Sequence, residues 1–321
     1  MIVLTGAAGF IGSCLLTDLL AAGYQDIVIV DDFDRPERAA NFGGKAFLEK
    51  VPRHELEVWL KGKEKQIAYI LHLGARTDTA ETDRSIFAKL NLTYSQMLWR
   101  YCSQFEIPFI YASSAATYGD GSLGFDDAHA QIPSLRPLNP YGQSKQDFDL
   151  WALQQSEQPP SWAGLKFFNV YGPNEWHKGR MASVIFHAFH QIQKNGNLKL
   201  FRSHRPDFAD GEQKRDFIYV RDLTKVILFL MEQSSVAHIL NLGTGKARTF
   251  WDLGQAVFAA MDRTPEIGFI DTPADIRNTY QYFTQAKMSK LRGLGFEASF
   301  TPLEQGVETY VKQNLSLGKY Y

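Results

Sequence analysis

The chain begins with a short apolar run, Ile2-Val3-Leu4-Thr5, that feeds directly into Gly6-Ala7-Ala8-Gly9-Phe10-Ile11-Gly12 and then into a helical pattern. A buried strand, a glycine turn and a helix start in immediate succession leave the backbone few choices. The glycines let main-chain N–H groups approach a pyrophosphate, and the dipole of the new helix favours its negative charge. A glycine turn without a ligand is the alternative reading, and Asp31 argues against it. Asp31 closes the second apolar run at the position where an acidic residue accepts from an adenosine ribose hydroxyl.

Further short apolar runs follow at Ala68–Leu73, Phe109–Ala112 and Leu165–Phe168, alternating with amphipathic stretches. Parallel strands need crossover connections, so this alternation predicts a Rossmann-type doubly wound parallel sheet, an α/β fold. With 321 residues the chain exceeds one ordinary domain. The expected partition is residues 1–170 plus about 216–245 for dinucleotide binding, with about 171–215 plus 246–321 as a smaller, discontinuous α/β substrate-binding domain. Tyr171–Arg180 reads as a loop, Met181–Lys194 and Asp222–Gln233 as helices, Ser203–Arg215 as a polar loop and Ile239–Leu242 as a strand that returns to the sheet. No linker rich in Ser, Gly or Pro separates the parts, which predicts a packed interface with a cleft.

A formal net charge of −1 gives no support for nucleic acid as a partner. Only Cys14 and Cys102 carry thiols, and no apolar run reaches the roughly 18 residues that a membrane span needs. A soluble cytoplasmic protein without a membrane partner is expected. His187 and His190 share a helical face but have no third ligand beside them, so no metal is expected.

Tyr141-Gly142-Gln143-Ser144-Lys145 places a phenol and an amine four residues apart, on one face of a helix that Asn139 caps and Pro140 begins. An ammonium and a helix N-terminus both stabilise phenolate, which suits Tyr141 to acid/base work. Ser113 and Ser114 follow the Phe109–Ala112 run, at the strand end where ligands sit in such sheets. Near Asp31, the arginines Arg35, Arg38 and Arg53 are suited to a ribose 2′-phosphate. They favour tightly bound NADP, whereas Asp31 alone favours NAD; arginines that only solvate a loop are the remaining reading.

Together, Gly6/Gly9/Gly12, Tyr111-Ala112-Ser113-Ser114-Ala115-Ala116-Thr117-Tyr118-Gly119 and the Tyr141/Lys145 pair resemble the extended short-chain dehydrogenase/reductase family. In that family the counterparts of Ser114, Tyr141 and Lys145 form the catalytic triad. Phe168-Asn169-Val170-Tyr171-Gly172-Pro173-Asn174-Glu175-Trp176-His177-Lys178-Gly179, Lys214-Arg215-Asp216-Phe217 and Tyr280-Gln281-Tyr282-Phe283-Thr284 are similar to its ADP-heptose 6-epimerase branch. The resemblance implies an isomerase that inverts C6 of an ADP-heptose for lipopolysaccharide core synthesis, by transient oxidation and hydride return. Lys178 would be the second acid/base residue; a loop cation or phosphate contact is the plainer alternative. The resemblance puts Phe10, Ile11, Asp32, Leu73, Gly74, Ala75, Asn91, Lys145, Val170 and Lys178 at the cofactor as well. It puts Ser114, Asn169, Arg180, His187, Phe201, Arg202, Ser203, Arg215 and Tyr280 at the nucleotide sugar, and it implies a homo-oligomer, a pentamer in the family pattern. For Arg215, a salt bridge to Asp216 is the structural alternative.

The sequence departs from that branch in three places: Arg180 replaces a small polar residue, Asp32 stands where Asn is usual, and Ser203–Arg215 is longer. Another nucleoside diphosphate sugar, as in a 4-epimerase, is therefore the second reading. A dinucleotide-binding regulator is a third, opposed by the intact Ser114, Tyr141 and Lys145. Ala115-Ala116 stands where dehydratases carry Asp-Glu, which argues against elimination of water.

Overall fold

The computed structural model describes residues 1–277 and 280–321. Among the described residues twelve strands run β1 Ile2–Thr5, β2 Ile27–Asp31, β3 Glu49–Pro52, β4 Tyr69–His72, β5 Phe109–Ser114, β6 Trp162–Phe167, β7 Asn169–Tyr171, β8 Leu198–Phe201, β9 Lys214–Tyr219, β10 Ala237–Leu242, β11 Ala247–Thr249 and β12 Ile267–Ile270. Seven of them form one parallel sheet in the order β10-β6-β5-β4-β1-β2-β3. The Rossmann-like α/β class expected from the alternation is thus observed. Both faces are covered, which is why the central strands read as unbroken apolar runs. Ile2, Leu4, Ile27, Ile29 and Leu71 pack against Leu15, Leu16, Leu19, Leu223 and Ile227 on one face. Val3, Val28, Val30, Ile70, Phe109 and Trp162 pack against Leu98, Trp99 and Phe148 on the other. The alternation along β1 and β2 follows from the period of two in a strand.

Strand order reverses between β1 and β4, and a crevice opens there at the carboxyl ends. Gly6 makes this approach possible. Its φ is +72°, and an added Cβ would lie 2.6 Å from the amide nitrogen of Gly74, so any other residue would force the two strand ends apart.

The remaining strands form a three-stranded sheet, β11-β9-β7, and the pair β12-β8. Their core joins Phe189, Ile192, Leu198, Leu200, Phe217, Val257, Phe258 and Val307 to Phe10 and Cys14 of the first helix, Phe10–Ala21. The two parts share side chains rather than a tether.

Three local expectations change. Lys214 and Arg215 belong to β9, not to a loop, because they pair with Thr249 and Arg248 of β11, a partner strand that no local pattern announces. The helix expected from Met181 starts at Val184, where the Ser183 hydroxyl accepts from the amide of Phe186. The edge strand β3, with only Val51 of its four residues buried, was not anticipated, since a largely exposed edge carries no apolar alternation. Among the described residues no helix is long and apolar enough to cross a membrane.

Candidate active site

The crevice is a cleft of about 510 Å³ lined by Gly6, Gly9, Phe10, Ile11, Gly12, Asp31, Arg35, Arg38, Arg53, Leu73, Gly74, Ala75 and Lys178. Gly9 begins the first helix without a side-chain cap, so the first-turn amides face the cleft as an anion site. The Asp31 carboxylate is already engaged. Oδ2 accepts from the amide of Ala8 at 2.9 Å, and Oδ1 accepts from the amide of Asp32 at 2.7 Å and from Nη1 of Arg38 at 3.2 Å. Asp32 pairs with Arg35 and Arg53, each at 3.2 Å, which holds its carboxyl below the usual range against some burial. Three guanidiniums therefore meet two carboxylates at this end of the cleft. The Nε of Arg38 is buried with no hydrogen-bond partner, a donor left over in a cationic wall. These features fit the diphosphate and adenosine ribose end of a dinucleotide.

At the other end, Asn139 caps the Pro140–Leu153 helix by accepting from the amide of Gly142 at 2.8 Å, with Pro140 at the first position, as its sequence requires. Lys145 is buried and its Nζ donates to the carbonyl of Ala112 in β5 at 2.9 Å. That bond fixes the helix two residues from Ser114, whose hydroxyl hydrogen-bonds to the Tyr141 phenol. Burial pushes the phenol up, with the Ser114 bond opposing, and pushes the Lys145 amine down to about 8, with Asp149 opposing. Desolvation thus outweighs the stabilisation of phenolate expected from the sequence. Beneath the triad, the fully buried Asp149 accepts from Ser113 Oγ and from Lys166 Nζ, both at 2.7 Å, and from the Tyr111 hydroxyl at 3.0 Å. The sequence reading missed this pair; the signal was an acid four residues after Lys145, on the same helical face.

Lys178 arrives from the second part of the chain on the turn Trp176–Met181. Gly179 follows it at φ +52°, a conformation that releases the backbone from the turn. The Lys178 ammonium sits 5.0 Å over the Phe10 ring, and burial lowers it from the ordinary lysine value while Glu175 opposes. Glu175, also missed in the sequence, is fully buried. It accepts from the amide of Ser183 at 2.6 Å, from the Ser183 hydroxyl at 2.7 Å and from the amide of Gly172 at 3.3 Å, closing the base of the Lys178 loop. His177 Nδ1 lies 3.1 Å from Asn41 Nδ2, and Asn41 also donates to the carbonyl of Ala8 in the glycine turn.

A second cavity of about 350 Å³ adjoins the cleft and is lined by Ser114, Tyr141, Lys145, Asn169, Val170, Lys178, Phe217 and Phe250. Lys178, Phe10 and Leu73 line both spaces. Further out, Arg215 is buried between Phe250 and Tyr280, 5.5 and 5.2 Å from their ring centres, and Phe201 lies 6.3 Å from Tyr280. Asp216 does not pair with Arg215; it accepts from Thr244, Gly245 and Ala286, so the salt-bridge alternative is set aside.

Other expected contacts lie elsewhere. Asn91 is buried behind the cleft wall, bonded to Arg76 and Ser144, rather than in the cleft. Ser203 bonds within its own loop, to Asp210 and Arg205, and Arg202 faces Asp210 and Asp271. His187 is exposed and hydrogen-bonds to the backbone of Arg180.

Residues 2–243 match the NAD dependent epimerase/dehydratase family. The chain belongs to that family. Within it, the chain is 48% identical to an ADP-L-glycero-D-manno-heptose-6-epimerase of Nitratidesulfovibrio vulgaris, covering 98% of each chain. It is 43% identical to the enzyme of that name from Fusobacterium nucleatum, again over 98% of each. The solved structure of the Helicobacter pylori ADP-L-glycero-D-manno-heptose-6-epimerase superposes with a TM-score of 0.81 at 25% identity, covering 97% of this chain and 95% of that one. As an epimerase of a nicotinamide-dependent family, the chain has a fold and a cleft that agree with its membership.

Proposed function

We propose that this epimerase interconverts ADP-D-glycero-D-manno-heptose and ADP-L-glycero-D-manno-heptose by inversion at C6, with NADP held in the larger cleft. The observation that carries the reading is the shared cavity, in which Ser114, Tyr141 and Lys145 from one part of the chain meet Lys178 from the other. The hydrogen on C6 is too weakly acidic for direct removal. A bound nicotinamide supplies hydride acceptance and return, so the sugar passes through a transient ketone.

The glycine turn, Arg35, Arg38 and Arg53 would hold the dinucleotide, and the crowded Asp31 carboxylate supports the 2′-phosphate form over a free ribose diol. Tyr141 takes or returns the proton of the sugar hydroxyl in one orientation of the sugar, oriented by the Ser114 hydroxyl. Lys145 keeps Tyr141 in register through its bond to Ala112. After the ketone reorients, Lys178 handles the proton on the other side; its lowered ammonium supports that use. Arg215, between two aromatic faces, is suited to the diphosphate, with Asn169 nearer the sugar.

Incubating the purified protein with ADP-D-glycero-D-manno-heptose, without added cofactor, and following C6 by NMR tests this. Conversion to an equilibrium mixture is expected. Absence of conversion in protein that contains its dinucleotide would turn the reading toward another nucleoside diphosphate sugar, with the Arg180 and 203–215 departures as the first determinants to exchange.

A further inference from the structure

A buried histidine that the mechanism does not use lies directly under the cleft. His72 ends β4 and is 2% exposed. Its Nδ1 is 2.6 Å from the Thr5 hydroxyl and its Nε2 is 2.9 Å from the Ser95 hydroxyl. The neighbours fix where the protons lie. Ser95 Oγ is 2.6 Å from the carbonyl of Asn91, which can only accept, so Ser95 donates there and accepts from Nε2–H. Nδ1 is then the acceptor for the Thr5 hydroxyl, and Thr5 Oγ1 accepts from the amide of Gly74 at 3.1 Å.

Both arms end on the same wall. Gly74 is held through Thr5. Arg76 is held through Asn91, whose Oδ1 accepts from the Arg76 amide at 2.8 Å and whose Nδ2 donates to the Arg76 carbonyl at 2.9 Å. Asn91 Nδ2 also donates to Ser144 Oγ at 2.9 Å, and Ser144 donates to the carbonyl of Tyr141 at 2.7 Å. Asn91 sits in a π-helical stretch, Ala88–Thr93, a local widening that recurs at functional sites.

We infer that His72 is a positioning residue that sets the cofactor-cleft wall, Leu73–Arg76, in register with the helix carrying Tyr141 and Lys145. The role needs one side chain that donates from one edge and accepts at another, which neutral imidazole does. Burial, with Lys145 nearby, pushes the ring down to about 3, so its polarity stays fixed across the working pH range. This inference rests on the epimerase reading for its turnover readout, but not for its binding readout.

The test compares His72→Phe, His72→Asn and His72→Gln by NADPH fluorescence titration of cofactor-stripped protein and by kcat and KM for the ADP-heptose. Phe keeps the ring packing against Phe109 and Tyr94, 6.0 and 5.7 Å away, and removes both bonds. It should raise the Kd for NADPH about tenfold and lower kcat about tenfold with KM unchanged, the scale of one or two lost buried hydrogen bonds. Asn, with an acceptor near Nδ1, restores the Kd; Gln, with a donor near Nε2, restores kcat. Should all three misfold, Thr5→Val and Ser95→Ala each cut one arm outside the ring, and the first should raise Kd while the second lowers kcat. Variants that differ from the parent only in melting temperature, with Kd and kcat intact, overturn the inference. A parent protein that binds NADPH normally but inverts no ADP-heptose counts against the epimerase reading, while the Kd series still decides the role of His72.

Discussion

Removing the Arg38 guanidinium should convert a cofactor preference into near indifference. Asp31 offers two carboxylate oxygens, and Oδ1 is occupied twice, by the Asp32 amide and by Arg38, while Oδ2 already takes the Ala8 amide. A ribose diol that seeks two acceptors finds one lone pair free. A 2′-phosphate instead finds three guanidiniums, of which Arg38 is 25% exposed and Arg35 and Arg53 are each 41% exposed. Arg38 is the least screened by solvent, so its contact should be the strongest of the three. A hydrogen bond to a charged group contributes about 1.5–3 kcal/mol, which is roughly a 10- to 150-fold change in Kd. Arg38→Ala should therefore weaken NADP by that factor and leave NAD within about threefold, because Asp31 then regains an acceptor for the ribose hydroxyl. Calorimetric titration of stripped protein with each cofactor measures both constants, and raising the salt should weaken NADP more than NAD in the parent. Equal weakening of the two cofactors by Arg38→Ala, or tighter binding of NAD than NADP by the parent, would refute the reasoning.

Lys178→Met should slow C6 inversion by about 10²- to 10⁴-fold, the usual contribution of one acid/base group; NMR turnover at the parent rate would end the two-base reading. Glu175→Gln removes the carboxylate that holds the Lys178 ammonium up against burial. The Lys178 pKa should therefore fall further, and the acid limb of kcat/KM should move to lower pH, whereas movement to higher pH would contradict the assignment. Lys166→Met leaves Asp149 charged, fully buried and without its cation, at a cost of about 3–5 kcal/mol in urea unfolding. Adding Asp149→Asn should recover most of that loss, and a single variant that costs less than about 1 kcal/mol would show the pair to be dispensable.

Much of the site was legible locally because its chemistry is tied to chain order. Asn139, Pro140, Tyr141 and Lys145 lie within one helical turn or two, and the cap and shared face follow from helix geometry alone. Arg215 was legible as a residue but not as a structure. Its strand, β9, looks polar because the partners that bury Arg215 and Asp216 come from residues about thirty to seventy positions away. Asp149 is buried for a similar reason, satisfied by Tyr111, Ser113 and Lys166 from two strands; the partners of Glu175, Gly172 and Ser183, lie within eight residues of it, in a loop whose closure only the folded chain reveals.

The sequence by itself determined the parallel sheet, the glycine turn at its switch point and the spacing of the triad, since these depend on periodicity, glycine conformation and helical repeat. Tertiary structure alone decided that Lys178 shares a cavity with Tyr141, that Asp31 accepts from the amide of Ala8, and that His72 bonds to both Thr5 and Ser95 beneath the cleft. Those contacts pair groups far apart in the chain, and their energies depend on burial and direction, which no local pattern encodes.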